Sequence, residues 1–235
     1  MSKQSKKPAG RVKSRDEVSN VKQLLLFPFG GNAREALMTV LDINKIKKEW
    51  DILGFIDDNI SVRQENCAGV KVLGDRSLLS KYPDASILAV PGNAENYHQR
   101  ADVITSLAVM PSRFARIIHP TAVVSVNARI GFNTLVMAHV VVGCGASVGN
   151  HCVILANTTI AHETVVEDFC CIGASVVLSG GVWLKSNCYI GSGTSVRDSL
   201  TVGKRSLIGL GSNVVKDIDP GVVAVGNPAR PIRKI

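Results

Sequence analysis

The chain has 235 residues, of which 46% are hydrophobic and 20% charged, and its formal net charge is +8. The length allows two compact domains or one large one. Only 5% of the residues are aromatic, so Val, Ile, Leu and Ala must fill the core, which favours regular stacked layers. No apolar run approaches the ~20 residues that span a bilayer, and no signal-peptide core follows the basic start. We therefore expect a cytoplasmic protein with no membrane insertion.

The first part of the chain, residues 1–20, is strongly basic. It holds six Lys or Arg residues and two acidic residues, mixed with Ser, Gly and Pro. Such a segment cannot offset its ordering entropy by burying apolar surface, so we predict a disordered basic tail. Binding of this tail to nucleic acid or to an anionic membrane remains an alternative, but the charge of the rest of the chain does not favour a nucleic-acid partner.

Residues 21–117 alternate between short apolar runs and helical patterns. We predict strands at 22–29, 52–56 and 86–90, and helices at 32–50 and 93–107. Strands that alternate with helices are typical of a parallel sheet. This region is therefore predicted to be a small α/β, Rossmann-like domain.

Two polar clusters follow strands of this domain. Gly30 and Gly31 open the first helix and are followed by Asn32, while Asp57 and Asp58 close the second strand. Glycines at a helix start let backbone N–H groups approach a phosphate, and a carboxylate after the second strand can hold a ribose or a base edge. There is no G-x-G-x-x-G pattern, so a tight turn with two solvated aspartates is an equal alternative.

From residue 118 onward, every sixth residue is a branched aliphatic, at seventeen positions without an insertion. The next residue is often Gly and the fifth position is usually small. Three short strands can then form a triangular coil of eighteen residues, in which the aliphatic fills the interior and the small residue lets the corner close. The periodic positions are Ile118, Val124, Ile130, Val136, Val142, Val148, Ile154, Ile160, Val166, Ile172, Leu178, Leu184, Ile190, Val196, Val202, Ile208 and Val214.

Five of the six cysteines fall within this repeat, and none forms a C-x-x-C pair. We interpret them as reduced packing residues rather than disulfides or metal ligands. The flat, partly apolar outer faces of such a prism are best covered by other prisms around a three-fold axis, so we expect a homotrimer.

The motif Ile-His-Pro-Thr-Ala at 118–122, the uninterrupted hexapeptides and the motif Val-Gly-Asn-Pro-Ala-Arg at 225–230 resemble those of the hexapeptide-repeat sugar acetyltransferases. This family is typified by sialic acid O-acetyltransferases and the bacillosamine-pathway N-acetyltransferase. The chain departs from it at Pro28 and Asn32, where the family usually has Gly and His of a G-x-G-G-H turn. The resemblance implies a left-handed parallel β-helix at 118–235, and a domain at 21–117 that binds a sugar nucleotide through Gly30, Gly31, Asn32, Asp57 and Asp58.

The resemblance also implies the catalytic residues. His162 and Glu163 match the family's His-Glu pair, in which a neutral imidazole can accept a proton from the acceptor and a carboxylate can orient it. Cys171 replaces a second histidine of the bacillosamine enzyme. The N–H of Gly180 would bind the thioester oxygen. Structural roles for His162, as for His139 and His151 at exposed corners, and for Gly180 in a turn remain alternatives.

The resemblance implies that an acyl-CoA, most simply acetyl-CoA, is the acyl donor, and no metal is required. We expect its phosphates near a group of basic residues that could instead only be solvated. The predicted function is O- or N-acyl transfer to a sugar, most simply a nucleotide-linked amino sugar used for surface polysaccharide or glycan synthesis. The basic residues are Lys204, Arg205, Arg230, Arg233 and Lys234.

Two other functions are consistent with the same repeat. A γ-type carbonic anhydrase needs three convergent histidines around zinc, and the spacing of His119, His139, His151 and His162 lacks the close pair that one chain contributes. A binding or scaffold protein could keep the β-helix and lose catalysis. The intact pair of His162 and Glu163 argues against this second alternative.

Overall fold

The computed structural model describes residues 21–235. The basic tail predicted at 1–20 lies outside the described residues. Within 21–235, no helix is both long enough and apolar enough to cross a membrane.

The first part of the described chain contains a five-stranded sheet with the strand order β3-β4-β2-β1-β5. Every neighbouring pair in it is parallel except β3 and β4. Short 3₁₀ turns at Ile60–Val62, Arg76–Ser80, Tyr97–Gln99 and Pro111–Arg113 complete this part. The elements are β1 (Lys22–Phe27), α1 (Gly31–Ile46), β2 (Trp50–Ile56), β3 (Asn66–Cys67), β4 (Val70–Gly74), β5 (Ser86–Ala89) and α2 (Arg100–Thr105).

The predicted parallel sheet is present, and the residues of its interior strand β1 explain why. Leu24, Leu25 and Leu26 of β1 are consecutive and all fully buried, as is usual for a strand that is covered on both faces. Helix α1 packs one apolar stripe on the sheet, which includes Ala36 and Val40. These elements leave the carboxyl ends of β1 and β5 next to the start of α1.

Two helix predictions are wrong in their extent. Helix α1 ends at Ile46 rather than at residue 50, because Trp50 begins β2 and pairs with Lys22. The predicted helix at 93–107 is α-helical only at Arg100–Thr105. The side chain of Asn93 accepts hydrogen bonds from the backbone N–H groups of residues 95 and 96, which favours a turn over a helix.

The second part contains seventeen two-residue strands, and each ends at one of the predicted aliphatic positions. The six-residue prediction is therefore confirmed throughout. These strands are β6 (Ile117–Ile118), β7 (Val123–Val124), β8 (Arg129–Ile130), β9 (Leu135–Val136), β10 (Val141–Val142), β11 (Ser147–Val148), β12 (Val153–Ile154), β13 (Thr159–Ile160), β14 (Val165–Val166), β15 (Cys171–Ile172), β16 (Val177–Leu178), β17 (Trp183–Leu184), β18 (Tyr189–Ile190), β19 (Ser195–Val196), β20 (Thr201–Val202), β21 (Leu207–Ile208) and β22 (Asn213–Val214).

The strands form a three-faced parallel β-helix, because each pairs with the strand eighteen residues further along the chain. Face 1 contains β6, β9, β12, β15, β18 and β21; face 2 contains β7, β10, β13, β16, β19 and β22; face 3 contains β8, β11, β14, β17 and β20. Strands β23 (Val222–Gly226) and β24 (Ala229–Lys234) form an antiparallel hairpin that extends face 1. The inward aliphatics make one continuous core.

Three of the cysteines form a buried column inside this core. The thiols of Cys152, Cys170 and Cys188 donate to the carbonyl oxygens of Glu167, Lys185 and Gly203, fifteen residues further on in each case. Burial raises the pKa of the Cys152 and Cys170 thiols. The five cysteines of the repeat are free thiols, as predicted, although Cys144 is exposed and does not pack in the core.

The α/β part packs on face 1. The outward side chains of this face, such as Leu135, Val153 and Cys171, are buried in the same apolar cluster as Leu24 and Leu88 of the sheet. Faces 2 and 3 are not covered by the described residues of the chain in this way, and their outward side chains include the exposed Val141 and Trp183. The three faces therefore have different environments.

Candidate functional site

His162 and Glu163 lie at the corner between β13 of face 2 and β14 of face 3, and both are exposed. The backbone of the corner is held by hydrogen bonds to the coils on either side. The carbonyl oxygen of His162 accepts the N–H of Gly181 at 2.9 Å, and the N–H of Glu163 donates to the carbonyl oxygen of Cys144 at 2.9 Å. The regular coil thus presents the imidazole on a fixed backbone.

Gly180 lies directly against the imidazole of His162, one coil further along. A Cβ at residue 180 would collide with the Cε1 and Nε2 atoms of the ring, so the absence of a side chain leaves the space that the ring fills. The N–H of Gly180 donates to no protein group within residues 21–235. By contrast, the N–H of Ala174, at the equivalent place in another corner, donates to the hydroxyl of Ser192. An uncapped N–H beside an exposed imidazole can bind a developing oxyanion.

Glu163 points away from His162. Its Cγ lies beside Gly145, one coil earlier, whereas the ring of His162 lies beside Gly180, one coil later. No hydrogen bond joins the two side chains among the described contacts. Residue 163 has a φ of +57°. The carboxylate is therefore near the imidazole along the chain, and a change of side-chain rotamer would be needed for the two to contact.

Gly31 and Asn32 line a small open cavity of about 140 Å³ between the α/β part and face 1. The amide of Asn32 donates to the carbonyl oxygens of Val90 and Gly92, at 3.4 and 3.1 Å, and so ties the start of α1 to the loop after β5. The sequence prediction missed the other cavity residues, because no local motif marks a wall made by distant segments. They are Gly92, Asn93, Val153, Leu155, Cys171, Ile172, Gly173 and Tyr189.

The remaining acceptor candidates support the turn rather than line this cavity. Gly30 precedes α1, and a Cβ there would meet nothing within 4 Å. The carboxylate of Asp57 accepts the N–H groups of Phe29 and Asn59 at 2.8 and 2.7 Å. Asp58 forms an ion pair with Arg76 at 2.5 Å, and the hydrogen bond from this arginine lowers the pKa of the Asp58 carboxyl. Both aspartates thus organise the loops beside the cavity.

The five predicted coenzyme residues are gathered at one end of face 1. Lys204 and Arg205 occupy the last corner between face 3 and face 1, and the other three lie on β24. All five are exposed. The hydroxyl of Tyr97 donates to the carbonyl oxygen of Arg205 at 2.8 Å, and burial raises the pKa of Tyr97 to about 12. His162 stands on a different edge of the prism from this basic end, which comprises Lys204, Arg205, Arg230, Arg233 and Lys234.

The other histidines have separate environments. His139 is exposed at a corner, as expected, but His151 is buried, which corrects the expectation of an exposed corner. Its ring stacks on Phe169 with a centroid distance of 4.6 Å, and burial lowers its pKa to about 4. His119 lies 3.1 Å from the Asp42 carboxylate on α1. No group of three His, Cys, Asp or Glu side chains within 21–235 is arranged to hold a metal ion.

Comparisons with known proteins match this architecture. A family model described as the GMPPB C-terminal domain matches residues 114–218. The acetyltransferase domain of PglB from Neisseria gonorrhoeae, in complex with acetyl coenzyme A, is 27% identical, with 90% of this chain and 100% of that chain covered and a TM-score of 0.77. A comparison with curated protein sequences finds no significant match.

Two further structures have the same fold at lower identity. GDP-perosamine N-acetyltransferase from Caulobacter crescentus, in complex with CoA and GDP-perosamine, is 23% identical, with 91% of this chain and 97% of that chain covered and a TM-score of 0.78. WeeI from Acinetobacter baumannii is 18% identical, with 90% and 100% covered and a TM-score of 0.65. The parallel sheets of residues 118–235 fit the left-handed β-helix of such proteins. The resemblance to the hexapeptide-repeat sugar acetyltransferases is thus confirmed, and the chain has the architecture of these acyltransferases.

Proposed function

We propose that the protein transfers an acetyl group from acetyl-CoA to a nucleotide-linked amino sugar that is used for surface polysaccharide or glycan synthesis. The observation that carries the proposal is the exposed imidazole of His162 beside the uncapped N–H of Gly180. Acyl transfer needs a proton acceptor and an oxyanion donor close to each other. The solved structures of similar fold that contain acetyl coenzyme A, or CoA with GDP-perosamine, support both substrate classes.

The proposed reaction is direct transfer without a covalent enzyme intermediate. The amino nitrogen of the acceptor attacks the thioester carbonyl carbon, a C–N bond forms, and the C–S bond breaks. His162 takes the proton that the nitrogen loses and returns it to the departing thiolate sulfur, which leaves as free CoA. The N–H of Gly180 donates to the carbonyl oxygen while it carries negative charge. A sugar hydroxyl would react in the same way, so oxygen and nitrogen acceptors are both consistent with this site.

The role of Glu163 in this scheme is to orient the protonated imidazole. Its carboxylate is exposed and free to move toward the ring, since the described side-chain hydrogen bonds leave it unengaged. A nearby negative charge favours the protonated form of an imidazole and so assists proton uptake. Glu163 is thus a positioning residue in the proposal.

The cavity lined by Gly31 and Asn32 is the proposed acceptor site in residues 21–117. It has backbone and amide groups on one wall and the apolar surface of face 1 on the other. The cavity is open on one side, so a sugar nucleotide could place its phosphates in it and extend into solvent. The N–H groups of Gly31 and Asn32, at the start of α1, would face its phosphates. In the same proposal Gly30 and Asp57 hold the turn in shape, and Asp58 fixes the loop at Arg76 beside it.

The coenzyme is proposed to lie in the groove between two neighbouring β-helices, with its phosphates at the basic end of one of them. His162 and the basic end stand on different edges of one prism, so a groove between copies would bring both within reach of a single coenzyme. If reversal of Arg230 and Arg233 to Glu left the Michaelis constant for acetyl-CoA unchanged, this assignment would be wrong.

A homotrimer follows from the same reasoning. The outward positions of face 2 include Val123, Val141 and Val177, which are 62, 39 and 40% exposed. Val123 and Val141 are one coil apart, and Val177 follows two coils later with Thr159 in between, along the face that ends at the corner of His162. A second copy on this face would bury the stripe and complete the groove beside His162. The cytoplasmic location stays a prediction.

The decisive experiment is to incubate the purified protein with acetyl-CoA and a panel of nucleotide-linked amino sugars, and to measure free thiol. We expect thiol release that depends on one acceptor, and a product heavier by one acetyl group. Mild alkali removes an O-acetyl ester but not an amide, so the same product distinguishes the two linkages. Thiol release no faster than without protein, with every acceptor, would instead favour the scaffold alternative.

A further inference from the structure

Arg100, the first residue of α2, is a buried cation without a counter-ion. It is 1% exposed, and no carboxylate within residues 21–235 lies at ion-pair distance from it. Its Nε atom is buried and has no hydrogen-bond partner. Burying a guanidinium among neutral groups is costly, so the position needs a reason other than general packing.

The guanidinium joins two distant backbone segments. Its Nη1 donates to the carbonyl oxygen of Pro91, and its Nη2 donates at 2.7 Å to the carbonyl oxygen of His151. Pro91 belongs to the loop after β5, and His151 lies at a corner between face 3 and face 1. Arg100 therefore ties the loop of the α/β part to the β-helix.

The next residues of this loop form a wall of the acceptor cavity. Gly92 and Asn93 line it, opposite Cys171 and Tyr189 of face 1. Gly92 has a φ of +101°, and a Cβ there would lie 2.8 Å from the Cγ of Arg100. The stem of the arginine thus packs directly behind Gly92. On its other side, Gly92 accepts the hydrogen bond from Asn32.

We propose that Arg100 is a positioning residue for the acceptor. It fixes the loop at 91–93 as a wall of the cavity. Its uncompensated charge makes this wall suited to the diphosphate of a sugar nucleotide. The inference rests on the proposed function, because it assumes that the cavity holds the acceptor. Arg100 acts through Gly92 and Asn93 and takes no part in the transfer. A neutral free sugar would gain nothing from the charge.

The matched control is Arg113, which also donates only to backbone carbonyls. Its guanidinium binds the oxygens of Ala85, Leu79 and Tyr82 within the α/β part, at 3.0, 3.3 and 2.7 Å. It does not line the acceptor cavity. Arg113→Met therefore removes the same kind of interaction without touching the loop.

The kinetic test compares Arg100→Met, Arg100→Lys and Arg113→Met. We expect Arg100→Met to raise the Michaelis constant for the acceptor by about tenfold or more, because a fixed wall and a charge are both lost. The Michaelis constant for acetyl-CoA and the turnover at saturating acceptor should change by less than about twofold. Arg100→Lys, which keeps the charge but cannot reach both carbonyls, should be intermediate. Arg113→Met should lower the melting temperature and leave the acceptor constant unchanged.

A second measurement does not depend on turnover. Amide hydrogen exchange at residues 92–96 should be faster in Arg100→Lys than in the wild type and unchanged in Arg113→Met. Titration with UDP and GDP should show weaker binding to Arg100→Lys than to the wild type, and unchanged binding to Arg113→Met. If the wild type transfers no acetyl group, the proposed function fails, and these two measurements still decide the inference. Unchanged exchange in Arg100→Lys, or equal increases in both Michaelis constants for Arg100→Met, would overturn it.

Discussion

At the level of single residues, His162 and Gly180 form one unit. The missing side chain of Gly180 gives the imidazole its place, and the N–H of the same glycine is free to bind an oxyanion. Neither group is activated by burial, since His162 is exposed on one chain. Imidazole is the side chain that most often serves as a general base in enzymes.

We expect His162→Ala to lower turnover by about 10² to 10⁴-fold, because a positioned base contributes in this range. Affinity for acetyl-CoA and the oligomeric state should not change. His139→Asn is the matched control: His139 is also exposed at a corner, and Asn tolerates its φ of +58°. Steady-state rates of thiol release measure both variants. Near wild-type turnover for His162→Ala on its true acceptor would exclude the mechanism.

Glu163→Gln should cost less than His162→Ala. The amide keeps a hydrogen-bond acceptor for the imidazole but loses the charge that stabilises its protonated form. Values of kcat/KM for the wild type and both variants provide the measurement. A loss in Glu163→Gln as large as that in His162→Ala would contradict a positioning role.

The burial of His151 should make the stability of the protein, rather than its catalysis, depend on pH. Its folded pKa of about 4 lies below its ordinary value of 6.5, because burial disfavours the charged form. The unfolded chain then binds the extra proton first, so the free energy of unfolding should fall as pH decreases from about 6.5 to about 4. Urea unfolding at several pH values measures this slope. In His151→Phe, which keeps the ring stack, the slope should be smaller over this interval; an unchanged slope would assign it elsewhere.

At the level of elements, the corners of the coil decide both stability and chemistry. Glycines occur at several corners, and their surroundings differ. The space at Gly180 is bounded by the ring of His162, the far end of a flexible side chain, whereas a Cβ at Gly191 would lie 2.6 Å from the backbone nitrogen of Leu210. The first kind of contact can relax by a rotamer change, and the second requires the backbone to move.

Gly180→Ala should therefore affect mainly turnover, whereas Gly191→Ala should affect mainly stability. We expect Gly180→Ala to displace the imidazole and lower turnover by about tenfold or more, with little loss of stability. Gly191→Ala should lower the free energy of unfolding by about 1 to 3 kcal/mol and keep its turnover where the protein is folded. Denaturation and kinetics on the same samples make the comparison. Full activity in Gly180→Ala would show that the imidazole does not need its position beside residue 180.

At the level of the whole molecule, the faces of the β-helix differ in what covers them and in their proposed roles. Face 1 is covered by the α/β part, and the junction contains the proposed acceptor cavity. Face 2 presents a stripe of exposed valines next to the corner of His162. The corner of His162 and the proposed acceptor cavity lie on different edges of one chain, so the proposed reaction needs parts of two copies.

The double variant Val141→Glu and Val177→Glu should dissociate the proposed trimer, because it places charges in an apolar contact. Light scattering should change from the mass of three chains to that of one, and acetyl transfer should be lost with it. The control is Lys71→Glu, at an exposed position on β4 of the α/β part, which should keep both. A wild type that is already a monomer at micromolar concentration would end the proposal.

The sequence by itself determined the β-helix, since one aliphatic every six residues specifies each coil and its neighbours without reference to the rest of the chain. It also located the corner of His162, because position in a repeat follows from counting. Only the tertiary structure decided that Asn32 and Gly92 share a cavity with Cys171, that His151 is buried, and that Arg100 joins the loop to the coil. These contacts arise where the α/β part packs on face 1, and residues as far apart in the chain as Arg100 and His151 leave no local pattern of such a meeting.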